Sequence, residues 1–310
     1  MNLIDVTKQF ATDDKCLDYL EHMRWPNGVR CVTCGAKEVS RVRRKSTGKN
    51  KRTRIYQCLE KTCKQQFTAT AGTIFHDSHL PLGTWFLAVA LITNAKKGMS
   101  ALQLQRDLGI GSYRTAWYLY HRIREAMKDD WTPKLKGTVE VDETYIYGKS
   151  KRRGPRKPKP PKDMVLGLRE RGGPLRLVHV PNLKKETVKE VLDWNIGSAA
   201  TRIMTDEAVV YPFAMDKDFR RKHRTVNHSI QWVRPDDIEI HTNTVENAFS
   251  LLKRGLTGNF HRVSIKHLQR YLDEFSYRFN RRTIAQIFED TVRHLTGFGG
   301  LPYKRLTAKT

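Results

Sequence analysis

The hydrophobic pattern of the chain changes at about residue 137, and this change constrains the fold more than any other feature. Before it, apolar residues recur at helical spacing; after it, short apolar runs alternate with Gly, Pro and charged residues, as in β-strands. Strands are predicted at 138–147, 164–168, 175–180, 201–205 and 224–227, and helices at 184–194, 208–215, 243–254 and 264–281. This order predicts an α/β domain with a mixed five-stranded sheet and flanking helices.

Three acidic residues occupy positions where such a domain would bring them together. Asp142 lies inside the first strand, Asp206 follows the fourth, and Glu246 lies in the first turn of a helix. A meander followed by helix, strand, helix, strand and helix is the order of a ribonuclease-H-like fold, in which the first and fourth strands are neighbours. Three carboxylates gathered in this way can hold two divalent cations about 3.5–4 Å apart, the arrangement for in-line attack on phosphate. The pattern therefore predicts a site with two divalent cations.

Each acid also has a purely structural interpretation. Asp142 could be a surface strand residue, with Glu143 on the opposite face. Asp206 could cap the helix that follows it. With Asn243 as the cap, Glu246 would be the third helical residue, which often bonds back to the cap backbone. Asn243 shares a helical face with Glu246 and is a rival third ligand.

The chain is strongly basic. It has 57 Lys and Arg against 32 Asp and Glu in 310 residues, a formal net charge of +25. Such a charge mainly predicts a polyanionic partner, although a ribosome-associated or merely soluble basic protein is an alternative. Lys253 follows Glu246 by two helical turns on the same face, where a cation can contact a phosphate next to the metals. Arg254 and His261 are further candidate DNA contacts.

Other classes of protein are disfavoured by what the sequence lacks. No apolar run reaches the roughly 18 residues of a membrane helix, and the N-terminus shows no secretory signal. No Gly-x4-Gly-Lys-Ser/Thr loop occurs, so ATP-driven chemistry is not supported. Metal explains the five cysteines better than disulfides do, which indicates a reducing cytoplasm.

Two cysteine pairs predict a zinc ribbon. Cys31 and Cys34 form a tight Cys-x2-Cys knuckle, and Cys58 and Cys63 form a looser pair after a basic hairpin-like stretch. Four thiolates in this layout close a tetrahedron around Zn²⁺. Four unrelated reduced thiols are the alternative. Cys16 is left over and is expected to be a buried packing thiol rather than a fifth ligand.

Residues 82–129 are predicted to be helical and to contain a helix-turn-helix. A short helix ends at Gly109, and Ser112 can begin a second, basic helix. An ordinary helical hairpin is the alternative. Further along, residues 149–162 form a Lys/Arg/Pro run that is expected to be a basic loop. The candidate DNA contacts in these two segments are Arg114, Arg122, Arg124, Lys151, Arg152, Arg153, Arg156 and Lys157.

These features together resemble a bacterial insertion-sequence transposase of the DDE class with an N-terminal zinc ribbon, the ISXO2-like group. The resemblance covers nearly the whole chain. Beyond the cysteine pairs, it is carried by the segments at 66–75, 241–246, 250–255, 261–275 and 278–282. The family's first two catalytic acids map onto Asp142 and Asp206. Its third position varies between an acid and an amide; Glu246 matches the acid and Lys253 its following lysine, while Asn247 stands where a glycine is expected.

The resemblance implies magnesium-dependent DNA transposition without ATP. Cleavage at the element ends would release 3′-hydroxyls, which would then attack target DNA. The zinc ribbon and helix-turn-helix would bind terminal inverted repeats, and pairing two ends implies a homodimer or higher oligomer in the cytoplasm, at the bacterial nucleoid. The alternatives are a nuclease or resolvase that does not join strands, and a catalytically dead zinc-ribbon regulator.

The predicted domain boundaries are 1–75 for the ribbon, 76–132 for the helical region, 133–290 for the catalytic domain and 291–310 for a C-terminal tail.

Overall fold

The computed structural model describes residues 1–42, 54–128, 133–146, 163–226 and 236–308. The chain forms two compact units. The first comprises Met1–Ala95, Ser100–Met127 and Ile284–Thr310, and the second comprises Lys96–Met99 and Lys128–Thr283. No helix in the described segments is both long and apolar enough to cross a membrane.

The helices and strands of the described residues follow in chain order. The helices are α1 Leu3–Gln9, α2 Asp13–Arg24, α3 Leu82–Asn94, α4 Ala101–Asp107, α5 Tyr113–Ala126, α6 Lys185–Asn195, α7 Val210–Ala214, α8 Lys217–Lys222, α9 Asn243–Gly255, α10 Ile265–Asn280, α11 Ile287–Gly297 and α12 Tyr303–Thr307, with a π-helical turn at Leu256–Phe260. The strands are β1 Val39–Val42, β2 Ile55–Cys58, β3 Gln66–Phe67, β4 Leu135–Ile146, β5 Asp163–Glu170, β6 Leu175–Val180, β7 Ile196–Asp206 and β8 His223–Val226.

The first unit is a helical body with a small antiparallel sheet, β1-β2-β3. Phe288 from α11 packs against Phe10 and Phe86, with ring centroids 5.8 and 6.0 Å away. Arg54, just before β2, forms ion pairs with Asp14, Asp18 and Glu21 on or near one face of α2. The described part of the segment predicted as a C-terminal tail, 291–308, belongs to this unit and packs through Val292, Leu295 and Leu306, which are fully buried.

The second unit is built on a five-stranded sheet in the order β6-β5-β4-β7-β8. β6, β5 and β4 pair antiparallel, and β7 and β8 join β4 in parallel. This confirms the predicted mixed sheet and the ribonuclease-H-like order, with β4 in the centre. Val139 and Val141 of β4 are fully buried because neighbours and helices cover them on every side.

The two faces of the sheet are covered by different helices. Val139 and Val141 of β4 pack with side chains of α6, α7 and α8, including Tyr211 and Phe219. On the other face, residues such as Val165 pack with α9 and α10. Successive side chains of a strand point to opposite faces. Glu140 and Asp142 are therefore on the α9 side, and Glu143 leaves the strand towards α7.

Side-chain amides from α10 cover the edge strand β6. Asn280 Oδ1 accepts the Leu175 N–H at 2.8 Å, and its Nδ2 donates to the Leu175 carbonyl at 3.0 Å. Gln269 does the same for the His179 N–H and the Leu177 carbonyl, at 2.8 and 3.0 Å. An edge strand with unpaired backbone groups invites strand addition, and these two amides occupy those groups instead.

Candidate active site

Asp142 and Asp206 lie on adjacent parallel strands at the centre of the sheet. In the β4–β7 pair Glu140 is opposite Met204, and each acid comes two residues later on its own strand. Carboxylate oxygens of Asp142, Glu143 and Asp206 all lie within 4.8 Å of one another. The fold thus brings the first two predicted acids together and adds a third that the sequence analysis did not select.

Glu143 joins the cluster although it leaves the strand on the opposite face. Its carboxylate accepts the hydroxyl of Tyr211, which is fully buried on α7, at 2.6 Å. The carboxylate of Asp142 turns towards the same point, because its Oδ1 accepts the Glu143 N–H at 2.8 Å. Strand alternation fixes where a Cβ leaves the backbone, whereas a glutamate carboxylate lies further out and can be drawn to a neighbouring site by a buried donor.

Burial and mutual repulsion disfavour the charged forms of Asp142 and Glu143. Burial, followed by the charges of Glu143, Asp206 and Glu246, raises the pKa of Asp142 to about 8. Burial also raises the pKa of Glu143, and the Tyr211 hydroxyl opposes that shift. Clustered carboxylates of this kind become favourable when a cation binds among them.

The donor set fits a hard divalent cation. Three carboxylates supply oxygen ligands, which Mg²⁺ and Mn²⁺ prefer, and this group contains neither thiol nor imidazole.

Asp206 Oδ1 also accepts the Ala208 N–H at 3.1 Å, so the residue caps the start of the following turn as well. Its structural and its metal-binding interpretation are therefore compatible.

Glu246 lies in the first turn of α9 and is not one of the carboxylates that meet within 4.8 Å among the described residues. Its Oε1 accepts the Thr242 hydroxyl at 2.9 Å, and its charge contributes to the raised pKa of Asp142. The N-cap residue of α9 is Thr242, so the prediction that Asn243 caps this helix is wrong. Asn243 is the first helical residue and is exposed. Glu246 is consequently the fourth helical residue, not the third of a capping box.

The start of α9 is capped instead by Glu140, a residue that the sequence analysis passed over. Glu140 is fully buried on β4. Its Oε2 accepts the Thr244 N–H at 2.9 Å, the Thr244 hydroxyl at 2.8 Å and the Val245 N–H at 3.0 Å. Its Oε1 accepts Arg171 Nε at 2.7 Å and lies 3.3 Å from His241 Nδ1. One carboxylate thereby joins the strand of Asp142 to the helix of Glu246.

A glycine allows α9 to approach the sheet closely. Gly167 on β5 is directly opposite Asp142. A Cβ at this position would lie 2.6 Å from the Phe249 ring and 2.8 Å from Val245, both on α9. Any side chain larger than hydrogen would therefore push the helix that carries Glu246 away from the strand that carries Asp142.

The cations predicted beside the acids lie further along the same segment. Lys253 and Arg254 are exposed near the end of α9, and the Arg254 guanidinium donates to the Ser250 carbonyl and hydroxyl at 3.2 Å each. His261 is exposed and follows the π-helical turn with φ of 55°, a conformation uncommon outside glycine. All three are on the surface of the second unit.

The four cysteines of the ribbon come together as predicted. Cys31 Sγ is 3.7 Å from Cys63 Sγ, Cys34 Sγ is 3.6 Å from Cys58 Sγ, and all four lie within 4.8 Å of one another. A zinc tetrahedron with Zn–S bonds of about 2.3 Å has edges of about 3.8 Å, so this spacing fits a structural Zn²⁺. Cys16 lies outside the group, and burial raises its pKa to about 11, which confirms it as a packing thiol.

The segment predicted as a helix-turn-helix, α4 and α5, exposes only part of its predicted basic surface. Arg114, at the start of α5, is exposed. Arg122 is 4% exposed and donates to the carbonyls of Ile74 and His76, and Arg124 is 1% exposed with its guanidinium 3.7 Å from the centre of the Tyr120 ring. Neither presents its charge at the surface, because the C-terminal half of α5 is surrounded by the helical body. We therefore withdraw Arg122 and Arg124 as candidate DNA contacts.

The predicted basic loop lies outside the described residues. This applies to the five candidates Lys151, Arg152, Arg153, Arg156 and Lys157. Their proposed role rests on the sequence alone.

A ribonuclease-H-like domain with clustered acids on its two central strands, accompanied by a four-cysteine ribbon, defines the class of DDE transposases with a zinc ribbon. Comparison with known families agrees. The ISXO2-like transposase domain matches residues 134–280, and the transposase zinc-ribbon domain matches residues 11–66. An uncharacterized protein in the transposable element ISH50 of Halobacterium salinarum is 30% identical to this chain over an alignment 289 residues long. The alignment covers 87% of this chain and 92% of that protein. This chain belongs to the ISXO2-like transposase family.

Proposed function

We propose that this chain catalyses metal-dependent cleavage of DNA at the ends of an insertion sequence and joins the released 3′-hydroxyls to target DNA. The observation that carries the proposal is the cluster of Asp142, Glu143 and Asp206 oxygens within 4.8 Å, beside Glu246. A carboxylate cluster in a chain of net charge +25 suits chemistry on a polyanionic substrate.

In this proposal Asp142, Asp206 and Glu246 hold two divalent cations, Mg²⁺ or Mn²⁺, and Glu143 is a further candidate ligand. Such ions would activate the attacking hydroxyl and offset the charge that develops on the phosphate. The protein's own contribution is orientation. Tyr211 fixes the Glu143 carboxylate, Glu140 fixes the start of α9, and Lys253 contacts a phosphate of the bound strand.

DNA is held in this proposal by surfaces outside the acidic cluster. The ribbon and the exposed start of α5, with Arg114, bind the terminal inverted repeats. The basic residues of 149–162 and Arg254 and His261 contact backbone phosphate, which positions the duplex without reading its sequence. A homodimer or higher oligomer pairs the two ends, and the reaction takes place at the nucleoid in the cytoplasm without ATP.

The test is a cleavage assay on labelled DNA that carries the ends of the host element, with and without Mg²⁺. Wild-type protein should cut at the ends only with the ion, and Asp142→Asn and Asp206→Asn should bind the ends but not cut. Asp218→Asn is the matched control, because Asp218 is an exposed acid that pairs with Lys222. Cleavage without a joined product would favour a nuclease or resolvase; binding without any cleavage would favour a regulator.

A further inference from the structure

The C-terminal helix α12 packs against the first half of α5, the second helix of the predicted helix-turn-helix. The Tyr118 hydroxyl of α5 donates to the Leu301 carbonyl at 2.5 Å, and the Tyr118 and Tyr303 rings meet edge to face at 5.3 Å. Leu301 and Leu306 are buried, at 2% and 0% exposure. The chain end around α12 is therefore fastened to this surface by both polar and apolar contacts.

Tyr303 also holds the one exposed arginine at the start of α5. Arg114 Nε donates to the Tyr303 hydroxyl at 2.8 Å, and its guanidinium carbon lies 4.5 Å from the centre of the Tyr303 ring. Arginine has five N–H donors in a fixed fork, so this bond leaves the terminal nitrogens available for another acceptor. Cation–π contact over the ring restricts the orientation of the side chain at modest energetic gain.

Two further cations follow Tyr303 in the same helical turn. Lys304 and Arg305 are exposed, and neither has an ion-pair partner within the described part of the chain. With 3.6 residues per turn, Lys304 lies about 100° and Arg305 about 200° around the helix from Tyr303, so both cations leave α12 away from the side that packs through Tyr303 and Leu306. Gly111, Ser112 and Tyr113, at the start of α5, are exposed on the adjoining stretch.

The arrangement fits DNA better than it fits a simple fastening of the chain end. In a helix-turn-helix the N-terminal residues of the second helix meet base edges, and the cations around them meet phosphates. A purely structural role for α12 accounts for the burial of Leu301 and Leu306. It does not account for two exposed cations on the helix that orients an arginine at this end of α5.

We propose that α12 is part of the DNA-binding surface of the helix-turn-helix. Lys304 and Arg305 contact backbone phosphates that flank the bases met by the start of α5, and Tyr303 orients Arg114 towards the same duplex. This inference rests on the proposed binding of element ends. It adds the C-terminal residues to the site that recognises them.

The test compares full-length Lys304→Ala/Arg305→Ala protein with wild type by fluorescence anisotropy on labelled end DNA over a range of salt concentrations. Each lost phosphate contact makes the negative slope of log K against log salt shallower by about 0.9. The slope of the double variant should therefore be shallower than that of the wild type by about 1.8. Lys184→Ala/Lys185→Ala is the matched control, since these two neighbouring lysines are exposed at the start of α6 and lie in none of the proposed DNA-binding segments. Both variants should have the melting temperature of the wild type, because only exposed side chains change.

Tyr303 provides a second arm of the test. Tyr303→Phe keeps the ring but removes the acceptor for Arg114, so it should lower the preference for end DNA over scrambled DNA while the salt slope changes little. In an Arg114→Ala background the same substitution should have no further effect. A double variant whose affinity and salt slope equal those of the control would overturn the inference. A wild-type protein without any preference for end DNA would instead remove the proposed function and this inference with it.

Discussion

A contact between Glu140 and Thr244 joins strand β4, which carries Asp142, to helix α9, which carries Glu246. The Glu140 carboxylate on β4 accepts both the backbone N–H and the hydroxyl of Thr244 at the start of α9, at 2.9 and 2.8 Å. Asp142 lies two residues after Glu140 and Glu246 two residues after Thr244. The Glu140–Thr244 contact therefore sets the distance between Asp142 and Glu246 without involving either acid. The N-terminus of α9 stabilises the negative charge of the Glu140 carboxylate.

Glu140→Ala is expected to lower the free energy of unfolding by about 3–5 kcal/mol, because it leaves Arg171 without its buried partner and α9 without a cap. Glu140→Gln retains an acceptor oxygen for the N–H groups and should cost less. Urea denaturation measures both. If Glu140→Ala were as stable as wild type, the carboxylate would not be what holds α9.

Gly167→Ala should displace α9 and reduce cleavage while leaving binding of end DNA nearly intact. The added methyl would overlap Phe249 and Val245, and overpacking of this kind costs about 1–3 kcal/mol. Gly258→Ala is the matched control, since a Cβ there meets no atom within 4 Å. Full cleavage activity by the Gly167 variant would show that the position of α9 is not critical.

Asp142 should make the metal-free protein less stable as the pH rises. Its pKa is about 8 in the folded state against an ordinary value of 3.8, so the folded state binds more protons between these two values. Stability from this group is fully present below about pH 4 and is lost as the pH rises towards 8. Asp142→Asn should flatten this part of the stability profile.

The same substitution should raise the melting temperature of the metal-free protein at pH 7.5, because folding then no longer has to protonate Asp142 or place its charge among the other carboxylates. Added Mg²⁺ should raise the melting temperature of wild type but not of Asp142→Asn. Asp218→Asn serves as the control in both measurements. Identical pH profiles for wild type and Asp142→Asn would contradict the assignment of a buried, raised-pKa carboxyl.

One zinc per chain is expected, and Cys58→Ser should lose it. A structural zinc contributes its binding free energy to folding, so the substitution or a strong chelator should unfold the ribbon and weaken binding of end DNA. Cys16→Ser is the control and should retain zinc, because Cys16 lies outside the cysteine cluster. Metal analysis of freshly purified protein gives the answer; a zinc-free, folded ribbon would refute the four-cysteine site.

The sequence was sufficient for the sheet and the cysteine cluster because both depend on local pattern and order. Strand alternation and a meander followed by alternating helices led to the observed strand order, and paired cysteines led to their common site. Glu140 could not be found in this way, since its partner Thr244 is 104 residues away and nothing in the local pattern marks the contact.

Arg122 and Arg124 show the converse difficulty. A basic helix after a turn resembles a recognition helix, yet these two side chains are buried against Trp85 and Tyr120. Helical periodicity shows on which side of a helix a residue lies. It does not show whether other helices pack against the side that carries the basic residues. The neighbouring Trp117, Tyr118 and Tyr120 were the available signal, because aromatic residues on several faces indicate a helix that is enclosed.

The joining step tests the account most directly. A labelled end DNA with a preformed 3′-hydroxyl is incubated with supercoiled target plasmid, Mg²⁺ and either wild-type protein, Glu246→Gln or Asn243→Ala. The account predicts a joined product with wild type, none with Glu246→Gln at an unchanged melting temperature, and a joined product with Asn243→Ala. A fully active Glu246→Gln protein together with an inactive Asn243→Ala protein would move the third ligand to Asn243, and the absence of any joined product with wild type would contradict strand transfer itself.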